Sequence, residues 1–152
     1  MDVGSKSGYP ASALSNFAPH LFMFDGVECS SMEGLLQSFK FDKPHIQIEV
    51  CKLVGLQAKH RGQKRNKAWK RAQGLWWQGR MYDRHGKEYQ ELLDRAFNAL
   101  FKNDSFRKAL CATRKSTLTH AIGKSRCSET VLTEREFCSR LEALRAKLQS
   151  TE

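Results

Sequence analysis

Apolar positions recur along this chain with two periods, and each change of period marks an element. Residues 21–24 and 27–30 flank Asp25-Gly26, a pair that supplies the positive φ angles of a type I′ turn, so a short hairpin is predicted. Met32, Leu35, Leu36 and Phe39 then follow at the spacing of one helical face, which places a helix over about 31–41. Ser30-Ser31-Met32-Glu33 reads as its S-x-x-E capping box. Pro44 opens a second helix at its first position, with Ile46, Val50, Leu53 and Val54 recurring inward until Gly55 interrupts it. A shorter helix is expected over 56–60.

Residues 61–84 are the least regular and most basic stretch, carrying Lys64, Arg65, Lys67, Lys70, Arg71, Arg80 and Arg84 among Trp69, Trp76 and Trp77. They read as a surface segment. Tyr89, Leu92, Leu93, Ala96, Phe97, Leu100 and Phe101 keep an unbroken i, i+3, i+4 rhythm, the clearest helix in the chain. Asn103-Asp104 ends it and caps a successor through about 112. Residues 118–122 read as a short strand closed by Gly123, and Thr133-x-x-Glu136 caps a final helix with Phe137, Leu141, Leu144 and Leu148 on one face. The fold class expected is mainly α (α+β): one multihelical domain with a small antiparallel β element.

Composition narrows the setting. A chain of 152 residues, 40% hydrophobic and 28% charged, has the makeup of one ordinary globular domain rather than of a disordered segment. No apolar run approaches the eighteen or so residues that span a bilayer, and residues 1–10 lack the basic-then-apolar order of a secretory signal, so no membrane partner is expected. Cys29, Cys51, Cys111, Cys127 and Cys138 are odd in number and scattered, without a C-x-x-C pair or zinc spacing. Reduced thiols in a cytoplasmic protein are the expectation. The formal charge of +10 favours anionic partners, either nucleic acid or a small phosphate-bearing ligand. The sign does not choose between them, and nothing fixes the oligomeric state.

Glu33, Gln37 and Lys40 fall at i, i+4 and i+7, stacking a carboxylate, an amide and an ammonium along one polar stripe. A carboxylate so placed steadies an oxocarbenium-like transition state or activates water, while the lysine holds phosphate or polarises a leaving base. The competing explanation of Glu33 is structural: third in a capping box, it reaches back to the Ser30 backbone N–H. Trp76 and Trp77, beside Arg80, suit stacking on a base; equally, one fills the core and the other covers a loop. His120 is either a satisfied structural histidine or a ligand contact. No Ser/His/Asp set, Walker loop, G-x-G-x-x-G run or H-E-x-x-H motif supports acyl transfer, NTP hydrolysis, dinucleotide binding or zinc proteolysis.

Leu14-Ser15-Asn16-Phe17-Ala18-Pro19, then Phe24-Asp25-Gly26-Val27, then Ser31-Met32-Glu33-Gly34-Leu35-Leu36-Gln37-Ser38-Phe39-Lys40-Phe41 together resemble the signature of the NADAR (YbiA-like) family. That signature is an S-N-F turn, a D-G hairpin and S-x-E-H-x-x-Q-x-x-K-F opening a helix. Ala58-Lys59 with Gly62 is similar to the family's A-K-x-x-G segment, and residues 109–113 with Leu118-Thr119-His120 to its L-x-A-T and L-x-H runs. The resemblance implies a mainly helical, metal-independent N-glycosidase that needs no cofactor. Family activities are hydrolysis of ribosylamino-pyrimidine phosphates and removal of ADP-ribose from guanine bases, all ribose C–N bonds beside phosphate.

The same resemblance implies that Glu33 is the functional carboxylate, with Lys40 beside it, and that Asn16, Phe17 and Gln37 share its pocket. A site tryptophan is implied between the A-K-x-x-G segment and the long helix; Trp76 and Trp77 are taken ahead of Trp69, with Arg80 and His120 as further substrate contacts. Two departures stand out. Gly34 replaces the histidine after the glutamate, so that imidazole cannot act here. Residues 123–134 replace a late acidic segment, where Glu129 is the candidate substitute for an aspartate. The expected partner is a phosphorylated N-riboside or ADP-ribosyl substrate, free or on nucleic acid. The alternative is a non-catalytic module that binds ADP-ribose or nucleic acid.

Overall fold

Asp25 and Gly26 adopt φ of 48° and 81°, and the turn they form pairs β1 (Phe22–Phe24) with β2 (Val27–Cys29) antiparallel, Phe24 opposite Val27. The computed structural model describes residues 1–150. A single helical turn, α1 (Ala11–Leu14), precedes this hairpin, and α2 (Met32–Ser38), α3 (Pro44–Cys51), α4 (Gly55–Gln63) and α5 (Asn66–Ala72) follow it. A second hairpin, β3 (Gly74–Trp77) and β4 (Arg80–Asp83), leads into α6 (Lys87–Leu100) and α7 (Asp104–Ala112). A turn of 3-10 helix at Cys127–Glu129 precedes α8 (Glu134–Ser150). The mainly helical class is the one read from the sequence, with two small antiparallel hairpins in place of the single β element expected. Among the described residues no helix is long and apolar enough to cross a membrane.

One apolar cluster runs through these elements. The α6 face made by Tyr89, Leu92, Leu93, Ala96, Phe97 and Leu100 is wholly buried, and packs in one cluster with Phe24, Leu36, Phe39, Trp77 and Phe137. Short α2 lies at the centre: Met32, Gly34, Leu35, Leu36, Gln37 and Ser38 are all buried. The end of α3 and the residues just past it come so close that a Cβ on Gly34 would fall 2.6 Å from the Leu53 carbonyl oxygen, 2.9 Å from that of Val50 and 3.0 Å from that of Cys51. Only glycine admits this backbone-to-backbone contact.

Several elements differ from expectation. Helix α3 ends at Cys51, and its buried residues are Gln47, Val50 and Cys51, whereas Ile46, Leu53 and Val54 are half-buried. A polar residue takes the inward position because the Gln47 side chain donates to the carbonyls of Ser38, Phe41 and Trp76 and accepts from the Gln78 N–H, tying the end of α2 to the second hairpin. Residues 61–84 are regular rather than loose: α4 extends to Gln63, α5 follows, and Gln78 and Gly79, with φ of 50° and 87°, close the β3–β4 turn. The strand expected at 118–122 reduces to one parallel bridge between Asp2 and Thr119, since only the first few residues of the chain lie alongside to pair with it. The last capping box forms as read, with Glu136 N–H donating to Thr133 Oγ1 (3.1 Å) and Thr133 N–H to Glu136 Oε1 (2.7 Å). Glu136 also receives both terminal nitrogens of the buried Arg84.

Candidate active site

The start of α2 decides what Glu33 does. Ser31, not Ser30, is the N-cap: its Oγ accepts from the Gly34 N–H (3.1 Å) and donates to the Leu53 carbonyl (2.9 Å). The Ser30 N–H donates to the Cys51 carbonyl (2.9 Å), so the reach from Glu33 back to Ser30 is not made, and the capping explanation of Glu33 is corrected. Glu33 instead donates its backbone N–H to the Asn16 carbonyl (2.9 Å), which pins the Ser15-Asn16-Phe17 turn to the helix start. Its carboxylate Oε1 accepts from Gln37 Nε2 at 2.8 Å, one turn along.

This stripe borders a cavity of about 450 Å³ that Asn16, Phe17, Glu33, Gln37, Lys40, Trp69, His120 and Glu129 help to line. Lys40, two residues past the end of α2 and only 6% exposed, donates from Nζ to Asn66 Oδ1 (2.7 Å). Burial pushes the Lys40 ammonium down to about 8, with Glu33 opposing and the charges of Lys70, Lys124 and Lys59 assisting. Burial likewise raises the Glu33 carboxyl above its ordinary value, against the Gln37 hydrogen bond and the charges of Lys40, Lys59 and His120. Lys59, Lys70 and Lys124 also line the cavity, so with Lys40 four ammonium groups face two carboxylates, Glu33 and Glu129. Lys70 is paired with Glu129 at 3.4 Å.

His120 sits edge-on to Phe137, with Nδ1 2.7 Å from the Val3 carbonyl. Only a protonated Nδ1 makes that contact, which leaves Nε2 with the lone pair of the neutral ring. Three buried side-chain atoms have no protein partner among the described residues: Asn16 Oδ1, Gln37 Oε1 and Trp69 Nε1. All three residues line the cavity. Most buried polar atoms in folded proteins have a partner, so these three are open to a ligand or to water.

Of the residues predicted from sequence, Asn16, Phe17, Glu33, Gln37, Lys40, His120 and Glu129 meet at this cavity, whereas Trp76, Trp77 and Arg80 do not. Trp77 points into the core, stacked on Phe24 with ring centroids 5.3 Å apart, its Nε1 donating to Asp25. Trp76 faces the other side of β3, as adjacent strand residues must, and Arg80 lies exposed over the Tyr82 ring. The tryptophan of the cavity is Trp69, 1% exposed on α5. The signal for it was positional: with 66–72 helical, Asn66, Trp69 and Lys70 share one face at i, i+3 and i+4. Asn66, Lys59, Lys70 and Lys124 were also missed as site residues.

The model of a family described as Bacteriophage protein GP30.3 matches residues 8–146. A protein of Enterobacteria phage T4, an "Uncharacterized 17.1 kDa protein in Gp30-rIII intergenic region", is 35% identical over 150 residues, 97% of this chain and 98% of its own length. The NMR structure of the E. coli protein YbiA matches with a TM-score of 0.64 at 17% identity, covering 99% of this chain and 85% of that one. The YbiA likeness establishes the fold.

Proposed function

The chain belongs to the bacteriophage GP30.3 protein family, and from its YbiA-like fold and its cavity we propose that it is an N-glycosidase hydrolysing the ribose C–N bond of a phosphorylated N-riboside. The observation that carries this reading is that half-buried Glu33 and buried Lys40, each desolvated and each held by a neighbouring amide, line one cationic cavity whose walls hold unpartnered polar atoms. A volume of about 450 Å³ suits a nucleotide-sized ligand.

In this mechanism Lys59, Lys70 and Lys124 take the phosphate and orient the sugar, and Trp69 Nε1 and Asn16 Oδ1 offer one donor and one acceptor to the substrate. Lys40, held by Asn66, gives a proton to the leaving nitrogen as the bond to the anomeric carbon breaks. Glu33, held by Gln37, stabilises the oxocarbenium-like sugar and takes a proton from the attacking water. The hydroxyl ends on the sugar and the departing base carries the proton given by Lys40. Desolvation of both groups strengthens each of these interactions relative to water.

The test is incubation with ribosylamino-pyrimidine phosphate, NAD, ADP-ribosylated guanosine and ADP-ribosylated DNA, with released base read by mass spectrometry. The wild type is expected to release base from at least one. Glu33→Gln is expected to lower turnover of that substrate by roughly 10²–10⁴-fold while binding changes by a few-fold only. Tight binding of a panel member with no base released from any would replace the enzyme by a binding module for the same ligand.

A further inference from the structure

A second constellation lies where the end of α5, the end of β4 and the 3-10 turn converge. Gln73, the left-handed C-cap of α5 (φ 51°), donates both side-chain N–H groups, to the Lys70 carbonyl (2.7 Å) and the Ser128 carbonyl (3.1 Å). Its amide orientation is therefore fixed, since a flipped amide would set its oxygen against two carbonyls. Gln73 Oε1 then faces His85 Nε2 at 2.9 Å, and an amide oxygen only accepts. His85 must carry its proton on Nε2, which leaves the lone pair of the neutral ring on Nδ1. That nitrogen lies 3.4 Å from Cys127 Sγ. The thiol donates to a base that is itself oriented by a third group, the arrangement that activates a nucleophile.

Nothing in the glycosidase reading uses this triad. None of Gln73, His85 and Cys127 lines the cavity. His85 is exposed and Cys127 half-buried, so small molecules reach the sulfur. The backbone N–H of His85 is also held, by Asp83 Oδ1 at 2.9 Å, which fixes the main chain from which the imidazole projects.

We infer that Cys127, His85 and Gln73 form a thiol-exchange site at which Cys127 reacts with small disulfides. His85 Nδ1 takes the thiol proton as Cys127 Sγ attacks one sulfur of the disulfide. The S–S bond of the small molecule breaks, a new S–S bond joins Cys127 to half of it, and the departing thiolate takes the proton back from His85. One disulfide and one thiol enter, and one mixed disulfide and one thiol leave, with no outside oxidant. Exchange at sulfur develops no oxyanion, so a nucleophile, a base and an orienting group complete the machinery.

The chain contains its own control. Cys111 is exposed, whereas Cys29 and Cys51 are buried. If access alone governed reactivity, Cys111 would react first. The full chain is incubated with oxidised glutathione, and initial rates of mixed-disulfide formation at each cysteine are read by peptide mass spectrometry. Cys127 is expected to react on the order of tenfold faster than Cys111, and His85→Ala to remove that advantage without changing the Cys111 rate. Gln73→Leu, which removes the orienting acceptor together with the bonds to the Lys70 and Ser128 carbonyls but leaves the base in place, is expected to give an intermediate rate. Continued protection of Cys29 and Cys51 reports that each variant is folded. Equal or faster reaction at Cys111 in the wild type overturns the proposal, as does a Cys127 rate indifferent to His85→Ala in a folded variant.

Discussion

Burial acts on Glu33 and Lys40 in opposite directions, and that opposition gives the proposed site its pH dependence. The carboxyl is raised and the ammonium lowered to about 8, each because its charged form is desolvated. Glu33 works ionised and Lys40 protonated, so kcat/KM falls on the acid side as Glu33 gains its proton and on the basic side as Lys40 loses one near 8. A bell-shaped profile with its upper limb there is the expected outcome. Arginine does not titrate in this range, so Lys40→Arg, whatever its maximal rate, is expected to lose the basic limb. A limb unchanged in that variant assigns it to another group. Gly62 tests the other partner. A methyl there would overlap Gln37 Oε1 and fall 2.6 Å from its Cδ and 3.1 Å from its Cβ, so the buried amide must leave its place. Gly62→Ala is expected to cost on the order of 1–3 kcal/mol, overpacking outweighing the roughly 1 kcal/mol that a helical Gly→Ala change gains. The displaced amide no longer donates to Glu33, and that bond favours the carboxylate. The acid limb is therefore expected to move to higher pH in the folded variant; an unmoved limb argues against Gln37 as the partner that sets Glu33.

At the scale of elements, α2 joins fold and site, and its packing on α3 rests on Gly34. Gly34→Ala would press a methyl on the backbone carbonyls of Val50 and Cys51 in α3 and of Leu53 just past it, which yield only if the end of α3 moves. The expected cost is on the order of 1–3 kcal/mol despite the better helix propensity of alanine, read as a lower denaturation midpoint with an unchanged slope. An equal or higher midpoint would show that α3 yields freely. The same contact explains why a histidine has no room after this glutamate. Elements legible in the sequence are those whose signals are local: the Asp25-Gly26 hairpin, the α6 stripe, the Asn103 cap and the Thr133/Glu136 box all form as read. Those missed depend on distant partners. Helix α5 buries only Trp69, and one apolar residue makes no period. The second hairpin turns on Gln78-Gly79 rather than on the Asp-Gly or Asn-Gly pair that announces such a turn. Misreading that stretch as loose also misplaced the cavity tryptophan, because the face shared by Asn66, Trp69 and Lys70 exists only once α5 is helical.

For the whole molecule, the +10 charge becomes informative once its place is known. Gln63, Asn66 and Lys70 line the cavity, and one position further along the same two-helix stretch Lys64, Lys67 and Arg71 lie outside the lining. Lys64, Lys67 and Arg71 are exposed. The lysines that line the cavity reach a ligand inside it, whereas the outer three reach only a chain that continues beyond it. A free phosphorylated N-riboside is therefore expected to bind with a shallow dependence on salt, a slope of about −1 to −2 in log affinity against log salt, since few phosphates are engaged. An ADP-ribosylated single strand that runs along α4 and α5 would add contacts to the outer cations, each steepening the slope by about 0.7. Replacing Lys64, Lys67 and Arg71 together by glutamine separates the two. The free ligand is expected to keep its affinity, because none of the three lines the cavity. The strand is expected to lose roughly 2 from its slope, three contacts at about 0.7 each. A strand whose slope survives the triple change does not pass over these helices. A free ligand that weakens with it would place the phosphate outside the cavity and undo the assignment of Lys59, Lys70 and Lys124.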